Sequence, residues 1–127
     1  MRSVILGAAA LSIFTAVSGC ASTEALPEEV VATVIEIATF DLNEGVSASV
    51  FAVYDQAVEE QHVALQPGFV SRETGLNEDG QWLVVVHWDS VASADASMSS
   101  FSTAPAAADF MANLQPATMA MKRYDIQ

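Results

Sequence analysis

Few side chains in this sequence have the type and position that catalysis requires. Glu73 lies in a predicted strand, and His87 comes near the end of an apolar run. A carboxyl group buried among apolar side chains has a raised pKa and can take or give a proton, so Glu73 is a candidate general acid or base. His87 is a second candidate, because the ordinary pKa of histidine, about 6.5, suits proton transfer near neutral pH.

Strand geometry decides which of these side chains can share a pocket. His87 and Trp88 are neighbours in the sequence and therefore point to opposite faces of a strand. A symmetric turn at 77–80 would place Phe69 opposite Trp88. The Trp88 face would then hold Phe69, Ser71, Glu73, Trp82 and Trp88, and the other face would hold Arg72, Thr74, Leu83 and His87.

The Trp88 face predicts a ligand pocket with apolar walls and a few polar groups. The candidate ligand-binding residues are Trp88, Trp82, Ser71, Phe69, His62 and Phe51. Other interpretations stay open. The aromatic residues can be plain core residues with Glu73 near an exposed end, and His87 can lie beside Arg72 in a contact between subunits.

His62 falls near the C-terminal end of a predicted helix, where the helix dipole stabilises a cation. It is either a pocket residue or haem ligand, or a capping and packing residue, and no second ligand motif accompanies it. Four methionines either line an adaptable apolar cavity or simply fill the core: Met98, Met111, Met119 and Met121.

The sequence predicts no metal site and no nucleotide site. It contains no H-x-x-x-H pair, no cysteine pair and no calcium-loop spacing. It also lacks a glycine-rich phosphate loop and a nucleophile elbow. The acidic residues are scattered along predicted helices and turns, which is typical of a solvated surface.

Charge excludes several classes of partner. The chain has 127 residues, 4 basic and 16 acidic side chains, a net charge of -12 and a pI of about 4.1. Nucleic-acid binding needs a basic patch, and an anionic membrane surface would repel such a domain. The hydrophobic fraction of 52% is too high for a disordered acidic tail. A single folded domain is expected from this length.

Hydrophobic periodicity and turn residues predict a β-α-β-β-α-β order. Strands are expected at 30–40, 69–76, 81–88 and 118–126. A first helix capped by Ser47 carries Asp55, Glu59 and Glu60 on its outer side, and a second helix begins after Asp89-Ser90 and is interrupted near Ala104-Pro105. This α+β order is ferredoxin-like, with a four-stranded antiparallel sheet and both helices on one face. Because the strands are apolar in both phases, the open face is expected to be covered in a homodimer.

The first residues read as an export signal. A positive start and an apolar run at 4–17, too short to span a membrane, precede Val17-Ser18-Gly19-Cys20, which resembles the bacterial lipobox. That resemblance implies a signal peptide at 1–19 and lipidation of Cys20, a tether at 20–30 and a domain at 31–127. It places the protein in the bacterial cell envelope, at the outer membrane facing the periplasm in a Gram-negative cell. An ordinary signal peptide or an uncleaved anchor is the alternative.

Two short motifs suggest a resemblance to a known family, and this resemblance extends over nearly all of the predicted domain. Pro67-Gly68-Phe69 opens the second strand, and Trp88-Asp89-Ser90 closes the third strand into a helix. This pattern resembles the antibiotic biosynthesis monooxygenase-like (ABM-like) domains of the dimeric α+β barrel superfamily. The resemblance implies two sheets facing each other across a homodimer, and in many members a cavity between the helices and the sheet of each subunit.

The family contains cofactor-independent quinol-forming monooxygenases, haem-degrading enzymes and many proteins with no known activity, so the resemblance leaves the function open. The sequence predicts an envelope lipoprotein whose domain binds a small apolar or aromatic ligand, with no cofactor. The alternative is a cofactor-independent monooxygenase acting on an aromatic or quinol-like substrate. Glu73 or His87 would then be the base, and Trp88 would position the ring.

Overall fold

The computed structural model describes residues 28–127. The predicted signal peptide at 1–19, Cys20 and most of the predicted tether at 20–30 lie outside the described residues. The elements are β1 (Val34–Asp41), α1 (Ala48–Gln61), β2 (Phe69–Leu76), β3 (Gln81–Trp88), α2 (Val91–Phe101), α3 (Pro105–Ala112) and β4 (Ala120–Asp125), with single 3-10 turns at Val63–Leu65 and Pro116–Thr118.

The helices begin where the sequence supplies side-chain caps. Ser47 Oγ accepts a hydrogen bond from the Val50 N–H at 3.3 Å, and Ser90 Oγ accepts one from the Ser93 N–H at 3.1 Å. Each bond satisfies one of the N–H groups that the first turn of a helix leaves free. Pro105 occupies the first turn of α3, where its missing N–H costs nothing. Both predicted caps and the interruption between the last two helices are confirmed.

The four strands form one antiparallel sheet in the order β2-β3-β1-β4. The predicted α+β, ferredoxin-like fold is therefore confirmed. Alternate residues of β3 are buried under the helices, namely Trp82, Val84, Val86 and Trp88. The residues between them are half-buried on the opposite side, which we call the open face. None of the helices in residues 28–127 combines the length and the apolarity that crossing a membrane requires.

The register of the β2–β3 hairpin differs from the symmetric turn expected from the sequence. Asn77 N–H donates to Gln81 O, so the loop is the three residues 78–80, with Gly80 at a φ of 81°. Three-residue loops of this kind place glycine in the left-handed conformation. The pairing therefore moves by one residue, and Ser71 lies opposite His87. A bulge at Val70 restores the predicted pairing of Phe69 with Trp88.

The shifted register reverses the predicted faces of the middle of β2, because a shift of one residue turns every side chain over. Ser71 and Glu73 share the open face with His87, and not the face of Trp88. Arg72 and Thr74 pair with Val86 and Val84 on the helix-covered face. The expectation that Ser71 and Glu73 line one pocket with Trp88 is therefore wrong.

An aromatic cluster fills one end of the space between the sheet and the helices. Phe51 of α1 lies 5.0 Å from the ring centre of Trp82 and 5.1 Å from that of Phe110, and Phe40 packs edge-on against Phe51 and Phe110. Edge-on geometry is the favourable arrangement for aromatic pairs. This packing fixes α1 and α3 on the sheet and leaves unfilled space beside it.

Candidate functional site

A cavity of about 240 Å³ lies between the sheet and the helices, and we call it the sheet–helix cavity. Its floor is the helix-covered face of β1 and β3, and its walls come from α2 and α3. The floor residues are Glu36, Ala38, Val84, Val86 and Trp88, and the walls include Ser97, Phe101 and Phe110. This lining is mostly apolar with a few polar groups, which is typical of small-molecule sites.

The sequence did not decide whether four methionines line a cavity or fill the core. All four line this cavity: Met98, Met111, Met119 and Met121. Met98 of α2 is 41% exposed and Met121 of β4 is 43% exposed. Residues that line the cavity and also reach the surface lie at its opening, so the entrance is between α2 and β4. Methionine is flexible and polarisable, so it adapts to ligands of different outline.

A buried ion pair lies at one side of the cavity floor. Arg72 donates two hydrogen bonds to Asp55 of α1, one to Oδ1 at 2.7 Å and one to Oδ2 at 2.8 Å, and it reaches Glu59 Oε2 at 3.3 Å. The Arg72 and Asp55 side chains are 2% and 6% exposed. Asp55 was expected on the outer side of α1, and that expectation is wrong, because the register shift brings Arg72 beneath the helix.

A second charged cluster lies at the other side of the cavity floor. Arg123 of β4 donates from Nε at 3.2 Å and from Nη2 at 2.7 Å to Glu36 Oε2, and from Nη1 at 2.7 Å to Asp95 Oδ1 of α2. The hydrogen bonds to Glu36 and then to Asp95 raise the pKa of the Arg123 guanidinium above its ordinary value, so it stays charged. This cluster ties β4 to α2 beside the entrance.

The two clusters lie on a single row that crosses the sheet. Glu36 pairs with Val86 on one side and with Arg123 on the other, and Arg72 pairs with Val86 from β2. All four side chains of a row point to the same face. Val86 is therefore an apolar residue that separates the two charged clusters, which lie at opposite edges of the sheet. The cavity lies above Val86.

Glu36 is the group in this cavity that is best placed for acid–base chemistry. Its side chain is 10% exposed and lines the cavity. Both hydrogen bonds from Arg123 go to Oε2, so Oε1 has no hydrogen-bond donor among residues 28–127. A carboxylate oxygen in an apolar chamber can accept a hydrogen bond or a proton from a bound molecule.

Two residues that line the cavity also carry buried N–H groups without an acceptor in the described part of the chain. These groups are Arg72 Nε and Trp88 Nε1, and Trp82 Nε1 is a third such group outside the cavity lining. A buried donor without an acceptor costs free energy comparable to that of a lost hydrogen bond. The floor therefore has donor as well as acceptor capacity to spare.

The structure separates the ligand-binding residues that the sequence singled out. Trp88 is 1% exposed and lines the cavity, and Phe69 packs edge-on against it at 6.0 Å without lining the cavity. Trp82 and Phe51 belong to the aromatic cluster. His62 ends α1 behind the wall, with its ring Nε2 3.3 Å from Ser97 O and its ring 5.8 Å from that of Phe101. The packing alternative is thus the arrangement found for His62.

The remaining predicted residues gather on the open face. Ser71 Oγ lies 3.2 Å from His87 Nδ1, and Glu73 is exposed next to them on β2. The structure therefore brings Ser71 and His87 together but keeps both, with Glu73, on the far side of the sheet from Trp88. The chemical roles predicted for Glu73 and His87 stay predictions, for a site outside the cavity.

Glu36 was not predicted as a site residue, although the sequence contains a signal that could have indicated it. It is a lone charge inside the β-branched run Val34-Ile35-Glu36-Ile37, and Arg123 is one of two cations in the last predicted strand. A ferredoxin-like order pairs the first strand with the last, which brings opposite charges together in neighbouring strands.

In residues 28–127, no three metal-ligating side chains of histidine, cysteine, aspartate or glutamate converge on a point that could hold a metal ion.

Comparison with known proteins establishes the fold. No protein-family model matches the chain, and no curated protein matches it either. Solved structures do match. SnoaB, a cofactor-independent oxygenase from Streptomyces nogalater, is similar with a TM-score of 0.63 and 15% identity, over 76% of this chain and 95% of SnoaB.

Two further structures agree with this comparison. A protein from Chloroflexus aurantiacus J-10-fl, provisionally assigned as an antibiotic biosynthesis monooxygenase, matches with a TM-score of 0.55 and 14% identity over 76% of this chain and 94% of its own. A conserved protein from Methanosarcina mazei Go1 matches with a TM-score of 0.59 and 9% identity over 80% of this chain and 100% of its own. The chain therefore has an ABM-like fold, and these likenesses show the fold alone.

Proposed function

We propose that this domain binds a small apolar or aromatic molecule in the sheet–helix cavity. The observation that carries the proposal is an apolar cavity whose floor contains both an aromatic ring, Trp88, and a carboxylate with a free oxygen, Glu36. A core that had only to be stable would gain from filling this space, since unfilled volume costs packing energy.

The volume limits the size of the ligand. An apolar cavity of about 150 Å³ in another protein holds benzene. The 240 Å³ found here therefore suits a molecule of one or two rings. The entrance between Met98 and Met121 gives such a molecule a route that does not require the sheet to open.

Binding can be followed with the two tryptophans of the chain, because only Trp88 lines the cavity. We expect 1-naphthalenemethanol to shift the indole N–H resonance of Trp88 in a nitrogen–proton correlation spectrum and to move that of Trp82 much less. Trp82→Phe assigns the two resonances. Ala38→Phe places a ring on the cavity floor and is expected to weaken binding at least about tenfold, because it fills the ligand's space.

The matched control is Ala92→Phe, which puts the same ring on an exposed position of α2 outside the cavity lining. It should bind like the wild type. Equal shifts of both indole resonances, or full binding by a folded Ala38→Phe variant, would place the ligand elsewhere and contradict the proposal.

A second function is favoured by Glu36: cofactor-independent oxygenation of an aromatic or quinol-like substrate. SnoaB, which is similar in fold, is a cofactor-independent oxygenase. In this reading the substrate enters neutral, Glu36 Oε1 takes the proton of a ring hydroxyl, and the electron-rich anion reacts with dioxygen. Trp88 holds the ring in place, and the protein supplies positioning and the base.

Oxygen uptake with a panel of naphthols and naphthoquinols, measured against the rate without protein, tests this function. If Glu36 is the base, Glu36→Gln should lower the protein-dependent rate about 100-fold or more, the usual contribution of a general base. Glu73→Gln and His87→Ala examine the bases predicted from the sequence. A rate that Glu36→Gln leaves intact and either of these two abolishes would move the chemistry to the open face.

We propose, further, that two copies of the chain pair through their open faces as a dimeric α+β barrel. The support is the half-buried apolar side chains of Ile35, Ile37 and Val85 on the open face of the central strands, where Ile37 lies opposite Val85 and Ile35 lies opposite the polar His87. Pairing would remove this apolar surface from water. Light scattering should give twice the chain mass, and Val85→Glu should give a monomer, whereas Val53→Glu on exposed α1 should stay dimeric.

Attachment to the cell envelope through lipid at Cys20 remains a proposal that rests on the sequence. The domain's charge does not favour an anionic membrane surface, so lipid would have to supply the attachment. Mass spectrometry of the mature protein should find acyl chains on Cys20, and an unmodified Cys20 would contradict both the anchor and the location.

A further inference from the structure

We infer that the sheet–helix cavity selects a cationic ligand, a small aromatic or apolar amine, whose ammonium group pairs with Glu36. The inference rests on the proposed binding function and names the chemical class of its ligand. It follows from the balance of charge around the cavity, from the absence of a free cation beside it, and from the nature of its walls.

Each charged cluster beside the cavity holds more negative than positive charge. Arg72 is shared by Asp55 and Glu59. Arg123 is shared by Glu36 and Asp95. Two carboxylates for each guanidinium leave one negative charge over in each cluster. The cavity therefore lies between two clusters of net negative charge, in which Glu59 and Asp95 are the exposed members and Glu36 is the buried carboxylate that lines the cavity.

The described part of the chain has no free cation that could receive an anionic ligand here. It holds three basic side chains, and Arg72 and Arg123 are both engaged by carboxylates. The third, Lys122, pairs with Ile37 in the sheet and so belongs to the open face. A carboxylate that entered the cavity could accept hydrogen bonds from the spare donors Arg72 Nε and Trp88 Nε1, but it would be desolvated beside the Glu36 carboxylate with no unpaired cation to neutralise it, which is unfavourable.

Glu36 offers an ammonium group a good partner. Arg123 occupies Oε2, and Oε1 is left for a donor from the cavity. Hydrogen bonds between a charged donor and a carboxylate are shorter and stronger than those between neutral groups. An ammonium here would satisfy Oε1 and would also offset the excess charge of its cluster.

The walls suit the rest of such a ligand. Trp88, Phe101 and Phe110 line the cavity together with the four methionines. Aromatic rings attract cations through their faces, and the attraction grows when the cation is removed from water. An amine carried on one or two rings thus has complementary contacts over its whole surface.

Three naphthalene derivatives of nearly equal shape test the inference: 1-naphthylmethylamine, 1-naphthalenemethanol and 1-naphthoate. Titrations of the full protein by calorimetry at pH 7, with the Trp88 indole resonance as a second readout, give three dissociation constants. We expect the amine to bind at least about tenfold more tightly than the alcohol, a factor worth ~1.4 kcal/mol, and the carboxylate to bind at least about tenfold more weakly.

Glu36→Gln should remove the advantage of the amine over the alcohol, since the amide keeps the shape and an acceptor for Arg123 but carries no charge. Glu60→Gln removes an acid from an exposed position of α1 and should change none of the three values. If Glu36→Gln does not fold, the wild-type series decides the question without it.

The outcomes separate this inference from the proposed function. If the alcohol binds beside Trp88 but the amine has no advantage, or if 1-naphthoate binds as tightly as the amine, the cationic class is wrong and the binding function stands. If a Glu36→Gln variant that folds keeps the preference for the amine, Glu36 is not its partner and the inference is overturned. If none of the three binds, the proposed function fails as well.

Discussion

Replacing Arg72 by methionine is expected to lower the free energy of unfolding by about 3–5 kcal/mol, because it leaves the buried carboxylate of Asp55 without a partner. Asp55 has only 6% of its side chain exposed and receives both of its short hydrogen bonds from Arg72. Glu59 loses one bond as well, but its side chain is 38% exposed and water can replace the loss. Urea unfolding at one fixed protein concentration measures the change.

The matched control for this substitution is Lys122→Met, which removes a cation from an exposed position of β4 without leaving a buried acid. It should change stability by less than about 0.5 kcal/mol. The double variant Arg72→Met with Asp55→Leu should recover much of the loss, since replacing both members of a buried pair by apolar residues is often neutral. A loss below about 1 kcal/mol in Arg72→Met alone would show that Asp55 reaches water by another route.

Gly68→Ala is expected to cost more than about 2 kcal/mol, from backbone strain and overpacking together. Gly68 has a φ of 84°, which side-chain-bearing residues rarely adopt. A Cβ at this position would also overlap the side chains of Ser93 and Asp89. Asp89 cannot move away freely, because its N–H donates to Gly68 O at 2.8 Å and its Oδ1 accepts from Ser93 Oγ at 2.6 Å.

Gly45→Ala separates the two contributions. Gly45 has the same φ of 84°, but nothing lies within 4 Å of a Cβ built there. Its substitution should cost about 1 kcal/mol, the price of the left-handed conformation alone. The variants are compared by thermal and urea unfolding. Equal losses at Gly68 and Gly45 would mean that crowding against Ser93 and Asp89 adds nothing to the cost of the left-handed backbone.

This contact explains the two motifs that carried the family resemblance. Pro67-Gly68-Phe69 and Trp88-Asp89-Ser90 are separated in the sequence, yet Gly68 and Asp89 are joined through the backbone. The glycine is needed for the close approach, and the serine is needed for the cap of α2. The motifs therefore report a junction of the fold, which is why they predicted the architecture and left the chemistry open.

The elements of the fold were accessible from the sequence because each depends on local chemistry. β3 was expected at 81–88 and lies there, since strong turn residues precede it and a capping serine follows it. The apolar spacing in the sequence extends the first helix through Leu65 to Pro67-Gly68, but helix α1 ends at Gln61 and a 3-10 turn takes the chain on to Leu65. The end of an apolar period does not distinguish an α-helix from a tighter last turn.

The composition of the site was not accessible, because it depends on one residue of register. The sequence Asn77-Glu78-Asp79-Gly80 is compatible with a symmetric turn and with the three-residue loop observed, in which Asn77 Oδ1 accepts from the N–H groups of Asp79 and Gln81. The choice between them decides whether Arg72 or Glu73 enters the cavity. The charge balance of the cavity is thus a tertiary property.

The bulge at Val70 and the three-residue hairpin loop compensate each other, so that the type of turn and the bulge are coupled. The loop moves the register by one residue, and the bulge takes up the difference before Phe69 meets Trp88. In a homologue of the same length whose turn closed symmetrically, the bulge would disappear, and Arg72 would turn to the open face and away from Asp55. We therefore expect homologues that keep the Arg72–Asp55 ion pair to keep the three-residue loop and the bulge as well.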